Sequence, residues 1–236
     1  MRLTVVFPLY DEEALLPGLP DLFRRVREAL APHEVSLLAV DDGSRDGTAR
    51  GLAALPGVAV ETHPVNRGPG AAMGTGLLRA EGDAALVYDA DEAYPVEDLP
   101  RLVAALEKGA DVATLSPYHP EGAVEGVGAF RLALSRGASA LYRRRTGARL
   151  HTFTCAVRAY RLAAVRPLLP PPDDFTAAAW LLAAALGAGL RVAEVPAVLR
   201  VRRSGSSKMR VLRAIRAHLR LLRDLPVTAS GEDPAP

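Results

Sequence analysis

With 29 Lys and Arg against 27 Asp and Glu, a net charge of +2 and 236 residues, the chain is neither a basic coat for polyanions nor an acidic disordered segment. Its 49% hydrophobic content fits a globular protein, and a chain this long hides roughly 70% of its unfolded surface. The single cysteine, Cys155, excludes an internal disulfide and a cysteine metal cluster, and suits a reducing cytoplasm. The first apolar run, Leu3 to Pro8, is too short for a signal peptide. The longest, Phe175 to Leu190, has 16 residues, short of the ~20 that cross a bilayer.

In chain order, Leu3 to Pro8 predicts a buried strand, followed by a loop carrying Asp11, Glu12 and Glu13 at a helix start. Leu15, Leu16, Leu19, Leu22, Phe23, Val26 and Leu30 recur at helical spacing. Val35 to Val40 is a second strand, ending in Asp41 and Asp42, with Asp46 as expected N-cap of the next helix. Val58 to Glu61 is a short third strand. Asn66-Arg67-Gly68-Pro69-Gly70 then turns into a helix of small residues, Ala71, Ala72, Gly74 and Gly76, suited to close packing on a sheet. Ala84 to Tyr88 is a fourth strand, ending in Asp89-Ala90-Asp91; a helix from Pro95 and a strand over Val112 to Leu115 follow. This alternation with short loops predicts an α/β fold with a mostly parallel twisted sheet and helices on both faces.

Beyond residue 116 the alternation weakens. Pro117 to Gly128 reads as a loop, Ala129 to Arg145 as a basic amphipathic helix, Phe153 to Tyr160 as an edge strand, and Phe175 to Leu186 as an apolar helix. Arg191 to Val201 holds one or two strands, and Met209 to Leu225 a C-terminal helix. Arg200 to Arg223 carries nine Lys/Arg and no acid, which leaves the rest of the chain net acidic. Arg210, Arg213, Arg216, Arg220 and Arg223 form one stripe of that helix, beside Val211, Leu212, Ile215, Leu219 and Leu222. Such a helix suits an anionic membrane surface, or packing on its own domain with the arginines in water. No nucleic-acid recognition motif is present.

Three acid-bearing loops follow three strands, and in a parallel sheet all three share one edge, where open α/β sheets hold ligands. Asp89 and Asp91, one residue apart, repel each other; a bound Mg²⁺ or Mn²⁺ relieves that and can hold a diphosphate. Asp42 can accept hydrogen bonds from a nucleobase or ribose. Asn66 is placed to hold its loop beside Asp42. Arg202-Arg203-Ser204-Gly205-Ser206-Ser207-Lys208 can close on a phosphate. None of the five histidines falls at a metal-ligand spacing, and Cys155 reads as a packing residue.

Taken together, Pro8-x-Tyr10-x-Glu12-Glu13, Val40-Asp41-Asp42-Gly43-Ser44-x-Asp46-Gly47-Thr48, Asn66-Arg67-Gly68, Asp89-Ala90-Asp91 with Pro95 and Glu97-Asp98, and Arg202-x-x-Gly205-x-Ser207-Lys208-Met209 run in one order over nearly the whole chain. This order resembles the family 2 glycosyltransferases with the GT-A fold, within them the dolichol- and polyprenyl-phosphate mannosyl- or glucosyltransferase branch. The resemblance implies one GT-A domain over 1–226, with a nucleotide-binding half at 1–116, an acceptor half with flexible loops at 117–209, a C-terminal amphipathic helix at 209–225 and a disordered tail at 227–236.

The resemblance also implies roles. Pro8, Tyr10, Glu12, Val40 and Asp42 would bind the nucleoside, with Asn66 beside them. Asp89, Ala90 and Asp91 would hold the diphosphate through Mg²⁺ or Mn²⁺, Asp91 as principal ligand. Arg202 and Lys208 would grip phosphates, and Arg131 and Ser135 would meet an acceptor phosphate. The implied reaction is inverting transfer of a hexose from a GDP- or UDP-sugar to a polyprenyl phosphate, in the cytoplasm at the membrane face. The alternatives are transfer to a soluble or protein acceptor and a non-catalytic nucleotide-sugar-binding scaffold. Three stretches depart from the family: Ala93 stands where Gln is frequent, Leu115-Ser116-Pro117-Tyr118 replaces Gly-Ser-Arg-Tyr, and Phe153 to Arg158 replaces Thr-Ser-Gly-Phe-Arg.

Overall fold

The computed structural model describes residues 1–201 and 211–225. Its strands are β1 (Arg2–Leu9), β2 (Glu34–Asp41), β3 (Ala59–Thr62), β4 (Ala84–Val87), β5 (Val112–Ser116), β6 (Ala123–Val124), β7 (Arg158–Arg161), β8 (Val192–Pro196) and β9 (Val198–Leu199). The helices are α1 (Leu19–Ala29), α2 (Thr48–Ala53), α3 (Pro69–Arg79), α4 (Leu99–Glu107), α5 (Ala129–Thr146), α6 (Leu162–Val165), α7 (Ala177–Gly187) and α8 (Val211–Asp224). Seven strands form one sheet in the order β3-β2-β1-β4-β7-β5-β8, and β6 pairs with β9 in a small second sheet.

Six of the seven strands run parallel; β7 alone opposes both its neighbours, β4 and β5. The alternation of side chains along each strand divides the core in two. Phe7 and Leu86 face α1 and α4, among Leu22, Phe23, Leu102 and Leu106. Val6 and Val87 face the opposite layer, among Met73 and Leu77 of α3, Tyr142 of α5 and Leu181 of α7. The small residues of α3 let it lie flat on the sheet: a Cβ at Gly76 would stand 2.1 Å from Cγ1 of Val6. No helix among the described residues is long and apolar enough to cross a membrane.

The expected edge strand at Phe153 to Tyr160 is corrected. The strand is Arg158–Arg161, and it fills the gap between β4 and β5 in the sheet interior. Arg158 is fully buried. Its Nε donates to Thr114 Oγ1 at 3.0 Å, its Nη2 to the Phe153 carbonyl at 2.7 Å and its Nη1 to the Ala178 carbonyl. A charged residue reads as an edge in sequence because burial is costly without partners; here three oxygens on neighbouring elements supply them. The expected loop at 117–128 also holds the short strand β6.

At the C-terminus, α8 packs against α5. Tyr142 and His218 bond through Oη and Nδ1 at 2.8 Å, Arg145 Nε donates to the Leu222 carbonyl at 3.2 Å, and Ala214 and Leu225 are buried. Leu212 and Leu219 face outward, 73% and 54% exposed.

Two solution properties follow from these burials. Burial lowers the pKa of His218 below its ordinary 6.5, with Asp174 opposing the shift weakly. The unfolded chain therefore takes up a proton that the folded chain resists. Stability from this group is complete above pH 6.5 and is lost as pH falls below it toward the folded-state value. Thermal melts are expected to show a midpoint that drops from pH 7 to pH 5, with part of that drop missing in His218→Gln. Burial also pushes the Cys155 thiol up to about 11. Alkylation of the native protein by iodoacetamide at pH 8, followed by mass spectrometry, is expected to be slower than in denaturant by on the order of 10²-fold or more, because the thiolate is the reactive form.

Candidate active site

The order β2-β1-β4 in parallel register brings three strand ends to one edge of the sheet. Tyr10 follows β1, Asp42 follows β2, and Asp89-Ala90-Asp91 follows β4. The expectation that these acid-bearing loops share an edge is met by the pairing of Leu9 with Asp41 and of Val6 with both Leu38 and Val87.

The first two loops are knitted together through backbone amides. Asp11 N donates to Ser44 Oγ at 2.9 Å, and Arg45 N returns a bond to Asp11 Oδ1 at 2.7 Å. Glu12 N donates to Thr48 Oγ1 at 2.8 Å, and Gly47 N donates to Glu13 Oε2 at 3.0 Å. Asp11 and Glu13 thus hold the loops to each other. Asp46 was expected to be the N-cap of α2; that position is Gly47, and Asp46 Oδ1 instead accepts from Thr48 N at 2.9 Å. The carboxylate thus takes the first amide of the helix from one residue before the cap.

Asp42 is the hub of this edge and is 2% exposed. Its Oδ1 accepts from His63 Nδ1 at 2.7 Å and from Arg67 N at 3.0 Å. Its Oδ2 accepts from Asn66 Nδ2 at 2.8 Å and from Gly68 N at 2.7 Å. An ionised carboxylate offers about four acceptor positions, and all four are taken by this chain. In this structure the group is turned inward, onto the loop after β3. Asn66, expected to hold that loop beside Asp42, does so. Gly43 permits the stacking, because with φ +69 a Cβ there would stand 2.3 Å from the Val65 carbonyl carbon. The Val40 side chain is fully buried in the apolar cluster with Val6 and Ala72. Pro8 and Tyr10 are half-buried at the same edge.

The Asp89–Asp91 turn is fixed on three sides. Ala93 N donates to Asp91 Oδ1 at 3.0 Å, Tyr88 Oη donates to the Tyr94 carbonyl at 2.7 Å, and Glu92, in a left-handed conformation with φ 52, is held by Arg25 Nη2 at 2.8 Å from both its oxygens. The Arg25–Glu92 pair joins α1 to the turn, a link between distant positions that no local spacing announces. Asp91 is 8% exposed, and no group of three or more Asp, Glu, His or Cys able to hold a metal exists among the described residues. Arg200 N donates to the Ala93 carbonyl at 2.8 Å, so the end of β9 runs beside the turn. Arg202 and Lys208 lie outside the described residues.

On the other flank, Ser135 Oγ and Thr154 Oγ1 bond at 2.6 Å, joining α5 to the segment before β7. The guanidinium of Arg136 stands over the Tyr118 ring at 5.1 Å, and Arg131 is exposed on α5. Cys155 lies within electrostatic reach of Asp89 and Tyr94, which sets this flank against the acidic turn.

His63 and Arg25 were not among the sequence candidates. A signal existed for His63: it directly follows a strand that ends beside Asp42.

Residues 4–169 match Glycosyl transferase family 2. The chain is 32% identical over 223 residues to an undecaprenyl-phosphate 4-deoxy-4-formamido-L-arabinose transferase of Pseudomonas fluorescens, covering 90% of this chain and 61% of that protein. A Klebsiella pneumoniae protein of the same name is 31% identical, over 91% of this chain and 64% of its own. The chain thus spans less than two thirds of the length of these relatives. In fold it is similar to glucosyl-3-phosphoglycerate synthase from Mycobacterium tuberculosis, crystallised with Mn²⁺, UDP and glucosyl-3-phosphoglycerate: the TM-score is 0.70 at 22% identity, over 98% of this chain and 82% of that one. The same enzyme crystallised with Mg²⁺ and UDP gives a TM-score of 0.69 at 21% identity, over 95% and 80%. With the family match extending over more than half of its length, this chain belongs to glycosyl transferase family 2.

Proposed function

We propose that this chain transfers a hexose-type sugar from a nucleoside-diphosphate donor, GDP- or UDP-linked, to a polyprenyl-phosphate acceptor, with inversion and with Mg²⁺ or Mn²⁺. The observation that carries this reading is the Asp89–Asp91 turn, held rigid beside the Tyr10–Asp42 edge by Arg25, Ala93 and Tyr88. The donor set fits the metal. Two carboxylates are hard oxygen ligands, and Mg²⁺ is ordinarily held by one or two carboxylates plus phosphate oxygens and water. A divalent cation bound there supplies charge neutralisation for the diphosphate leaving group.

The chain's own residues then divide the work. Pro8, Tyr10, Glu12 and Asn66 border the nucleoside, with Val40 and Asp42 supporting them from beneath. Asp89 and Asp91 hold the cation, with Asp91 the principal ligand and Ala90 lining the diphosphate. Arg202 and Lys208 grip phosphates; support comes from the Arg200–Ala93 bond, which brings the preceding segment to the turn. Arg131 and Ser135 of α5 meet the acceptor phosphate on the opposite flank. A phosphomonoester has a second pKa of about 6 and is ionised near neutrality. It can attack the sugar's C1 without a side-chain base, so the protein's task is to position it and stabilise developing charge. The names of the Pseudomonas and Klebsiella relatives support the acceptor class.

The same reading places one face of the protein on the cytoplasmic surface of the membrane. Phe130 and Leu141 of α5 are 69% and 47% exposed, and Leu212 and Leu219 of α8 more than half exposed. Arg131, Arg213, Arg216, Arg220 and Arg223 are exposed on the same two helices, which carry one acid, Asp224. Outward leucines flanked by arginines suit an anionic lipid surface. They disfavour a soluble acceptor, which would leave these leucines without a role. The chain is read as one domain over 1–226, its acceptor half beginning after residue 116.

Two measurements test the reading. UDP or GDP with Mn²⁺ is expected to raise the thermal midpoint, by about 2.7 kcal/mol of stabilisation at a hundredfold excess over Kd, with the shift lost on chelation. Asp91→Asn is expected to abolish the shift and lower donor turnover by on the order of 10²–10³-fold; a shift indifferent to chelator would sink the assignment. In flotation with phosphatidylglycerol vesicles, the double variant Leu212→Ser/Leu219→Ser is expected to bind about tenfold or more weakly, with wild-type binding itself falling as salt rises.

A further inference from the structure

The third strand is followed by a histidine that no motif of the site includes. His63 is 8% exposed and lies between two polar groups: Nδ1 is 2.7 Å from Asp42 Oδ1, and Nε2 is 2.9 Å from Thr75 Oγ1 on α3. A carboxylate only accepts, so Nδ1 carries the proton and donates to Asp42. The ring is thereby a strut between α3 and the end of β2.

What the strut supports is the segment 66–68. Asp42 accepts from Asn66 Nδ2, Arg67 N and Gly68 N, all within 3.0 Å. Two backbone amides and one side-chain amide thus converge on a carboxylate whose remaining acceptor position is filled by His63. Without that fourth donor the buried carboxylate has an unsatisfied position, and the cost of leaving it so favours rotation of the group or entry of water. Either change moves the three donors that define the loop.

We propose that His63 is a positioning residue for the donor nucleotide. It acts through Asp42 to fix the Asn66–Gly68 segment, which borders the nucleoside. The recognised ligand is a nucleoside diphosphate. Asn66 is exposed and its amide nitrogen is committed to Asp42, so the proposal assigns its amide oxygen as the acceptor offered to a ligand donor. This inference rests on the donor-binding reading above and extends it to a residue outside the family motifs.

The test uses the full chain, with UDP and GDP as probes in the presence of Mn²⁺. His63→Leu is expected to raise the Kd of the preferred nucleotide at least tenfold, and in turnover to raise the donor KM while kcat stays within about twofold. His63→Asn keeps an N–H donor near the position of Nδ1 and is expected to restore Kd to within about threefold of wild type. Amide hydrogen exchange without nucleotide gives an independent reading: Arg67 and Gly68 are expected to exchange at least tenfold faster in His63→Leu, and at the wild-type rate in His63→Asn. Unchanged Kd and exchange in His63→Leu would overturn the proposal, as would equal losses in His63→Leu and His63→Asn. If wild type binds neither nucleotide while the exchange pattern holds, the donor reading of the site fails and the assignment of His63 to donor binding falls with it.

Discussion

The parallel pairing of β1 with β2 and β4 is the constraint on which the site depends. It aligns three strand ends at one edge and so gathers Asp41, Asp42, Asp89 and Asp91 with the acids of the first loop. Like charges gathered in this way are unfavourable unless each is answered. The structure answers those of the β1 and β2 loops with its own donors: Ser44 for Asp41, four groups for Asp42, and backbone amides for Asp11 and Glu13. At the β4 turn, Asp91 receives the Ala93 amide and Glu92 the Arg25 guanidinium. The edge therefore has an inward-facing part centred on Asp42 and, at the β4 turn, the carboxylate pair that the proposed function assigns to a cation.

The second half of the chain is built differently. Where the first half repeats strand and helix, the chain after β5 crosses α5 and returns antiparallel as β7 into the middle of the sheet. That insertion buries Arg158 with three oxygens from Thr114, Phe153 and Ala178. It also brings Cys155 within reach of Asp89, and the loop containing Thr154 up against α5. One buried cation thus ties the sheet, α7 and the segment facing the acidic turn into a single unit. Breaking it would leave polar atoms in a dry core, the costliest arrangement there is for such groups.

The proposed donor and acceptor surfaces meet across the β4 turn. On one side the loop after β3 is braced by Asp42 and His63; on the other α5 carries Ser135, Arg131 and Arg136. The pair α5 and α8 is joined at Tyr142–His218 and turns leucines and arginines outward. In the proposed reading the helix that borders the acceptor flank also faces the lipid, which would shorten the path of a phosphate from bilayer to site.

The sequence by itself determined the elements whose signal is local. Apolar runs and turn residues set β1 to β5, helical periodicity set α1 and α4, and the carboxylates at strand ends marked one edge of a parallel sheet. The family order of motifs was legible for the same reason: each motif is a short stretch bound to one turn. Only the tertiary structure decided the partners of those groups. No local signal shows that packing buries the Val40 side chain or that four donors from beyond residue 62 surround the Asp42 carboxylate. The strand around Arg158 read as an edge, yet it lies inside the sheet with the guanidinium surrounded by oxygens of Thr114, Phe153 and Ala178. The N-cap of α2 fell one residue after Asp46, and Arg25 met Glu92 across 67 positions of sequence. Burial and hydrogen-bond saturation are sums over neighbours brought in by long-range pairing, and no window of sequence contains those neighbours.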